Sequence, residues 1–137
     1  MTRLKACALG LLICTAAPAV AAQSKPPLGD VPEIDGTLFV VAVANEVGRK
    51  CDTISGRRLK GYNMLFKLRS RANELGYSDA EIRAFVESDT EKAKMRARGE
   101  KYLESKGVDV DKPETFCAFG RAEIAKSSAI GALLKAR

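Results

Sequence analysis

Carboxylates, basic side chains and four cysteines are the residues able to do chemistry in this chain, because the sequence contains no histidine. Histidine is the usual general base at neutral pH, the usual partner of a serine or cysteine nucleophile, and the commonest metal ligand. Its absence disfavours triad hydrolases and histidine-ligated metal centres. Glu100 and Glu123 are then the candidates for acid–base work, and a carboxylate-based envelope hydrolase ranks third among the functions considered. We predict no catalytic residue, no cofactor and no metal site.

The four cysteines divide into an early pair and a late pair. Cys7 and Cys14 lie in an N-terminal segment typical of a secretory signal peptide, whereas Cys51 and Cys117 lie in the rest of the chain. An isolated, even pair of cysteines in an exported domain is typical of one structural disulfide. We therefore predict a bond between Cys51 and Cys117, with two unpaired buried thiols as the alternative. The bond would leave no thiolate for metal binding or catalysis.

The N-terminal segment has the three parts of a signal peptide. Arg3 and Lys5 form a basic start, the following stretch is uncharged and mostly apolar, and small residues surround a cleavage point after Ala21 or Ala22. The apolar stretch is short for a transmembrane anchor, and a buried N-terminal helix is the other alternative. We predict that a signal peptide, residues 1–22, is removed and that the protein is periplasmic or secreted.

Chain length and charge set bounds on the remaining protein. Removal of the signal leaves 115 of the 137 residues, enough for one domain with one hydrophobic core. The net charge falls from +6 to +4, because the signal carries two basic residues and no acid. Such a mildly basic charge does not by itself imply a nucleic-acid partner. We divide this part of the chain into an extended tail, 23–29, and a single helical domain, 30–137.

Apolar residues at helical spacing, together with capping residues and glycines, predict an all-α bundle of four to five helices. Capping boxes start at Ser78 and Ser88, so residues 79–105 form either two helices or one kinked helix. Gly120 and Gly131 lie on the apolar face of the last helix and would let the first helix approach closely. The disulfide would join the end of the first helix to the first turn of the last. The remaining helices are predicted to span Asp30 or Pro32 to Lys50, Thr53 to Leu75, and Asp111 to Leu134.

Basic side chains concentrate in the second predicted helix. Lys60, Lys67 and Arg71 stack opposite its apolar face, and we predict them as a possible binding face for an acidic partner or an anionic surface. A solvated face paired with acids of the following polar helix is the alternative. A helix-turn-helix around Gly76 would suggest DNA binding. DNA binding is disfavoured because Arg71 takes a position that is usually apolar in a helix-turn-helix, and because export separates the protein from DNA.

Five further charged residues lie on or beside apolar stripes of the predicted helices. A half-buried carboxylate near arginines is sometimes a functional site, but a structural ion-pair cluster is the commoner explanation and the one we predict. The residues are Arg58, Arg69, Arg96, Glu100 and Glu123.

Three blocks between Lys25 and Arg137 cover most of the chain outside the signal: KPPLGDVPEIDGTLFVVAVANEV, RANELGYSDAEIRAFVESDTEKAKMRARGEKYL and FCAFGRAEIAKSSAIGALLKAR. They resemble a family of small exported alphaproteobacterial proteins that is classed as a domain of unknown function. The resemblance implies export and a single compact domain. It implies no activity and no site residues.

The function that these observations favour is a small, soluble, non-enzymatic binding module of the periplasm. Its partner would be an envelope protein or an anionic surface, with no nucleic acid and no transmembrane segment in the mature chain. The alternative is a periplasmic stress chaperone that binds exposed apolar surfaces of its clients. The partner's identity and the oligomeric state stay open.

Overall fold

The computed structural model of the protein describes residues 24–137, so the predicted signal peptide and its cleavage point lie outside the described residues. Five helices and a small two-stranded sheet make up the fold, which confirms the predicted all-α class. Single turns of 3₁₀ helix at Leu28–Asp30 and Gly131–Leu133 accompany these elements. The elements are α1 (Pro32–Lys50), β1 (Ile54–Gly56), α2 (Arg58–Glu74), α3 (Asp79–Glu87), α4 (Asp89–Ser105), α5 (Pro113–Ala125) and β2 (Leu134–Ala136).

Helix α1 runs through the middle of the bundle, with the predicted bounds. Proline occupies its first turn, where a missing N–H costs no hydrogen bond. Its first turn carries acids and its last turn carries Arg49 and Lys50, which suits the helix dipole at both ends. Val43, Ala44 and Val47 are buried, and α2, α4, α5 and β1 all pack against this helix. An apolar helix surrounded by partners explains why its hydrophobic residues lie on nearly every side.

Serine caps separate α3 from α4 and settle the choice between two helices and one. The Ser78 side chain accepts the backbone N–H of Glu81, while the Glu81 carboxylate accepts the backbone N–H of Ser78. Ser88 likewise accepts the backbone N–H of Glu91 at the start of α4. Each cap satisfies a backbone donor that the first turn of a helix leaves without a partner. Residues 79–105 therefore form two helices.

Two predicted helix ends are wrong, and they are wrong for one reason. Ile54–Gly56 and Leu134–Ala136 form an antiparallel strand pair in which Ile54 lies opposite Ala136. Helix α2 consequently begins at Arg58 instead of Thr53, and α5 ends at Ala125 instead of near Leu134. The pairing joins segments about eighty residues apart, so local helical spacing does not reveal it.

After α5 the chain turns back sharply instead of extending the helix. Ser127 has a positive φ of 52°, and a Cβ at Gly131 would overlap the backbone carbonyl of Glu123. The predicted apolar stripe from Phe116 to Leu134 therefore does not lie on one helix. Gly120 does allow the predicted close approach, because a Cβ there would lie 2.8 Å from Cγ1 of Val47 on α1.

The predicted disulfide joins Cys51 to Cys117. Cys51 is the C-cap of α1, and Cys117 lies in the second turn of α5, slightly further along than predicted. The two sulfurs are bonded at 2.06 Å, and the Cα atoms are 5.1 Å apart. The bond lies beside the main core cluster around Val47, Ile54 and Phe116, while a second cluster at the other end of α1 centres on Ile34 and its neighbours.

Candidate binding groove

A long open groove of about 1360 Å³ runs along one side of the bundle. Its floor is α1, its two walls are α2 and α4, and residues of α3 line one end of it. The walls are held apart because each of them packs on α1. The groove is therefore the space beside α1 that a further helix of the bundle would occupy.

Apolar and small side chains line most of the groove. Leu38 and Ala42 lie on the floor, and Leu65 and Met95 lie on opposite walls. Two glycines also line the walls, Gly61 on α2 and Gly99 on α4, and a Cβ at either position would meet no described atom within 4 Å. The two helices therefore present bare backbone to the groove at these two points, where a partner's backbone could approach closely.

The apolar surface continues from the groove over the edge of α2. Leu59, Tyr62 and Phe66 recur at helical spacing and are 75%, 62% and 67% exposed. Within α2 itself, Ala72 is the one fully buried residue. Val86 on α3 adds another exposed apolar side chain at the groove's end. Large contiguous apolar surfaces of this kind mark interaction sites in soluble proteins.

Charge is distributed unevenly along the groove. Arg49, Lys50, Arg57 and Arg58 are exposed and cluster where α1 ends and α2 begins. Among the residues lining this end, Glu46 is the one carboxylate, and it lies 3.5 Å from Arg49. At the opposite end, apolar residues of α3 and the first turn of α1 lie beside the charged residues Arg69, Glu91 and Lys92. The groove thus has one end where cations predominate and another where apolar residues are accompanied by charges of both signs.

A family model matches residues 26–135, the greater part of the chain. The chain belongs to the family of unknown function DUF5333. This confirms the predicted membership of a family without an assigned function. No curated protein and no solved structure matches the chain significantly.

The predicted charged cluster is divided between two places in the DUF5333 protein. Arg58, Arg69, Arg96 and Glu100 line the groove, whereas Glu123 lies on α5, outside it. The five residues form no ion pair with one another among residues 24–137. Arg69 instead makes a two-point contact with Asp79 of α3, at 2.6 Å and 3.1 Å, which lowers the pKa of that carboxyl. This contact joins α2, which forms one wall of the groove, to α3, which lines the end of the groove.

Glu123 is a buried carboxylate with its own partners. The Ser128 hydroxyl donates to one of its oxygens at 2.5 Å, and the Lys126 ammonium donates to the other at 3.2 Å. The hydrogen bond from Ser128 is the main cause of its lowered pKa, against the opposing effect of burial. The same hydroxyl accepts the backbone N–H of Gly131 at 2.9 Å. Glu123 therefore organises the sharp turn that follows α5.

The predicted basic face of Lys60, Lys67 and Arg71 lies on the side of α2 turned away from the groove lining, as the helical spacing of these residues requires. Arg71 donates to Glu33 of α1 at 2.9 Å and to Glu74 at 3.2 Å, and these bonds raise its pKa. Lys60 and Lys67 make no salt bridge with any residue of the described part. Of the three basic residues, Arg71 therefore joins α2 to α1 through its ion pair with Glu33.

The groove was not predicted from the sequence, although two features of the sequence indicate it. Glycine inside a helix costs roughly 0.5–1 kcal/mol relative to alanine, so Gly61 and Gly99 needed a reason. The apolar residues of α2 also spread over more of its circumference than contact with α1 alone uses.

None of the described helices is long and apolar enough to cross a membrane. Within residues 24–137, no group of three or more candidate ligands could hold a metal ion.

Proposed function

We propose that this DUF5333 protein is an exported, non-enzymatic binding module that holds another polypeptide in the groove between α1, α2 and α4. The observation that carries the proposal is the open apolar groove, which continues onto the exposed residues Leu59, Tyr62 and Phe66. A stable fold that leaves such a surface uncovered is best explained by a partner that covers it.

The shape of the groove favours a polypeptide over a small ligand. Pockets for small molecules are usually about 300–1000 Å³ and bury roughly 70–90% of the ligand. A groove that is open along its length cannot enclose a small molecule in this way. A helix or extended segment, by contrast, needs only one of its faces buried, and its other face stays in water.

The carboxylates near the groove support binding more than catalysis. Glu46 lines it from α1, and Glu91 and Glu100 line it from two positions nine residues apart on α4. Glu46 is paired with Arg49, and Glu91 contacts Lys94 at 2.8 Å. A pair of catalytic carboxylates must flank one reacting bond, whereas two of these three are engaged with neighbouring cations on their own helices.

Export is part of the proposal, and two features support it. The N-terminal sequence has the pattern of a signal peptide. The disulfide between Cys51 and Cys117 suits an oxidising compartment. We place the protein in the periplasm or outside the cell, as in the exported alphaproteobacterial family that the sequence resembles, with an envelope polypeptide as its partner.

Affinity capture with matched variants tests this proposal. The wild-type protein is the bait in a periplasmic extract, and captured proteins are identified by mass spectrometry. Gly61→Leu and Gly99→Leu place side chains in the groove at positions where an added Cβ would meet no described atom within 4 Å, so the fold should persist while the partner is lost. Lys60→Glu with Lys67→Glu changes the opposite side of α2 and should leave capture unchanged. If the lysine variant loses the partner and the glycine variants keep it, the contact face is the basic side and the groove proposal is wrong.

A periplasmic chaperone is the second candidate, and the exposed apolar residues on α2 and α3 favour it. A chaperone would suppress the aggregation of several unrelated clients on heating or acidification. Leu59→Lys and Phe66→Lys would weaken that activity, since they place charges on the exposed apolar surface. Capture of one dominant partner without general suppression of aggregation would instead support the binding module.

A further inference from the structure

We infer that the occupant of the groove is an amphipathic helix with acidic residues at one end, which lies against α1 as an additional helix of the bundle. This inference rests on the proposed function and specifies the partner of the same groove. Three observations carry it: the dimensions of the groove, two groove-lining glycines whose Cβ positions meet no described atom within 4 Å, and the position of the cations.

The dimensions of the groove match one helix. Arg98 on α4 pairs with Asp35 on α1 at 2.7 Å, and the rings of Tyr102 and Phe39 lie 5.3 Å apart, so α4 runs parallel to α1. Arg71 near the end of α2 pairs with Glu33 near the start of α1, so α2 runs antiparallel to α1. The groove between these walls is therefore straight and follows the axis of α1.

The length and volume of the groove also fit. Groove-lining residues of α1 extend from Ile34 to Arg49, which is ~22 Å at 1.5 Å per residue. A helix of that length and a diameter of about 10–12 Å occupies roughly 2000 Å³. The groove, at about 1360 Å³, would take in more than half of such a helix and leave its outer face in solvent. This is the geometry of an amphipathic helix in a hydrophobic groove.

Gly36, Gly61 and Gly99 lie inside helices with open Cβ positions, and two of the three, Gly61 and Gly99, line the groove. The missing side chain of Gly120 is explained within the chain, because a Cβ there would lie 2.7 Å from Ile54 and 2.8 Å from Val47. Gly61 and Gly99 lie inside helices and line the groove, yet their Cβ positions are open. Each destabilises its helix by roughly 0.5–1 kcal/mol relative to alanine. A helix that approaches the walls at these points would account for both.

The cations define the chemistry of one end of that helix. Arg49, Lys50, Arg57 and Arg58 outnumber Glu46 where the groove opens towards the strand pair. Carboxylates on the partner would meet a net positive charge there, while lysines would be repelled. At the opposite end, Arg69, Glu91 and Lys92 accompany the apolar residues of α3, so a preference for one sign of charge is confined to the end with the four cations.

Synthetic peptides test the inference directly. The probe is a fluorescent helix of about 16 residues, long enough to span the groove, with apolar residues at i, i+3, i+4 and i+7. One version carries glutamates in a terminal turn and the matched version carries lysines there. Binding to protein purified from the full-length chain is measured by fluorescence anisotropy at low and high salt. We expect the acidic peptide to bind about tenfold more tightly or better, and the difference to shrink at high salt because exposed charges are screened.

Matched protein variants locate the binding site. Arg57→Glu with Arg58→Glu should reverse the preference between the two peptides, whereas Lys60→Glu with Lys67→Glu makes the same charge change outside the groove and should not. Gly99→Leu should abolish binding. Gly36→Ala is the control for helix propensity, because Gly36 also has an open Cβ position but does not line the groove. Thermal melts should show that these glycine variants are at least as stable as the wild type.

The outcomes distinguish this inference from the function on which it rests. If neither peptide binds, but a captured envelope partner still depends on Gly61 and Gly99, the binding module stands and the acidic helix is wrong. If both peptides bind equally, the cationic end does not select the partner and the inference fails. If dodecyl sulfate binds stoichiometrically and neither peptide does, the occupant is an anionic amphiphile and the inference is overturned.

Discussion

Loss of the disulfide should lower the free energy of unfolding by about 4 kcal/mol. Cys51 and Cys117 are separated by 66 residues, and closing a loop of that size removes conformational entropy from the unfolded chain. The chain-entropy model gives ~4.3 kcal/mol at 25 °C for such a loop. Because small domains are stable by only roughly 5–15 kcal/mol, the bond would supply a large share of this protein's stability.

The assay is reversible urea unfolding followed by circular dichroism at 222 nm, a wavelength that reports the helices. Three samples are compared: the oxidised wild type, the wild type with reductant, and the Cys51→Ala/Cys117→Ala variant. Reductant removes the cross-link but keeps both sulfur atoms. The difference between the second and third samples therefore measures the packing of the buried Cys51 side chain, and reductant should not affect the variant.

A loss of less than about 1 kcal/mol on reduction would refute the entropic argument. It would mean that the reduced, unfolded chain already keeps the segments around Cys51 and Cys117 close together. The disulfide would then remove little conformational entropy from the unfolded state. Labelling of Cys51 and Cys117 before any reduction would be a more basic contradiction, because it would show that the bond is absent from the protein in solution.

Three further predictions concern single positions. Gly120→Ala should lower the free energy of unfolding by about 1–3 kcal/mol in urea titrations, since the new methyl group would overpack the contact between α1 and α5. Ser78→Ala should cost about 1 kcal/mol in the same assay, because α3 loses its N-cap. The pKa of Glu81 is lowered from 4.5 to about 2, first by the Ser78 backbone N–H and then by Lys25. The ionised carboxylate therefore stabilises the fold above pH 4.5, and this contribution is lost as the pH falls towards 2. An NMR titration should show that low pKa, and Lys25→Ala should raise it.

Local signals in the sequence predicted the helices well. Proline in the first turn and basic residues in the last turn define α1 within the chain itself. The capping serines Ser78 and Ser88 each act on a backbone N–H three residues away. Features of this kind depend on a few neighbouring residues, so the sequence contains everything needed to recognise them.

Nonlocal pairing explains what the sequence analysis missed in the fold. Ile54 and Leu134 fit a helical apolar stripe as well as they fit a strand, and each belongs to a strand of only three residues. The strand conformation is selected by backbone pairing across the structure and by burial of both side chains beside Gly120. No short window of sequence contains that information.

The groove was harder to predict because it is a space beside α1 that no helix of residues 24–137 fills. Apolar residues at helical spacing predicted the helices of a bundle, and periodicity cannot separate a face packed on this chain from one left open for another. Gly61 and Gly99 were the residues that carried the information. Their meaning depends on the empty space beside them, which only the three-dimensional arrangement of the helices displays.

The disulfide and the groove meet at one corner of the molecule, and this arrangement holds the groove open among residues 24–137. Cys51 directly follows Arg49 and Lys50, and β1 leads directly into Arg57 and Arg58. The cross-link and the strand pair therefore hold both chain segments that carry the cations. At the other end, ion pairs from α2 to α1 and α3 keep the wall from closing towards α4. Because the walls and charges are already in position, a partner helix would order little of this protein on binding, and most of the free energy of its apolar contacts would remain available as affinity.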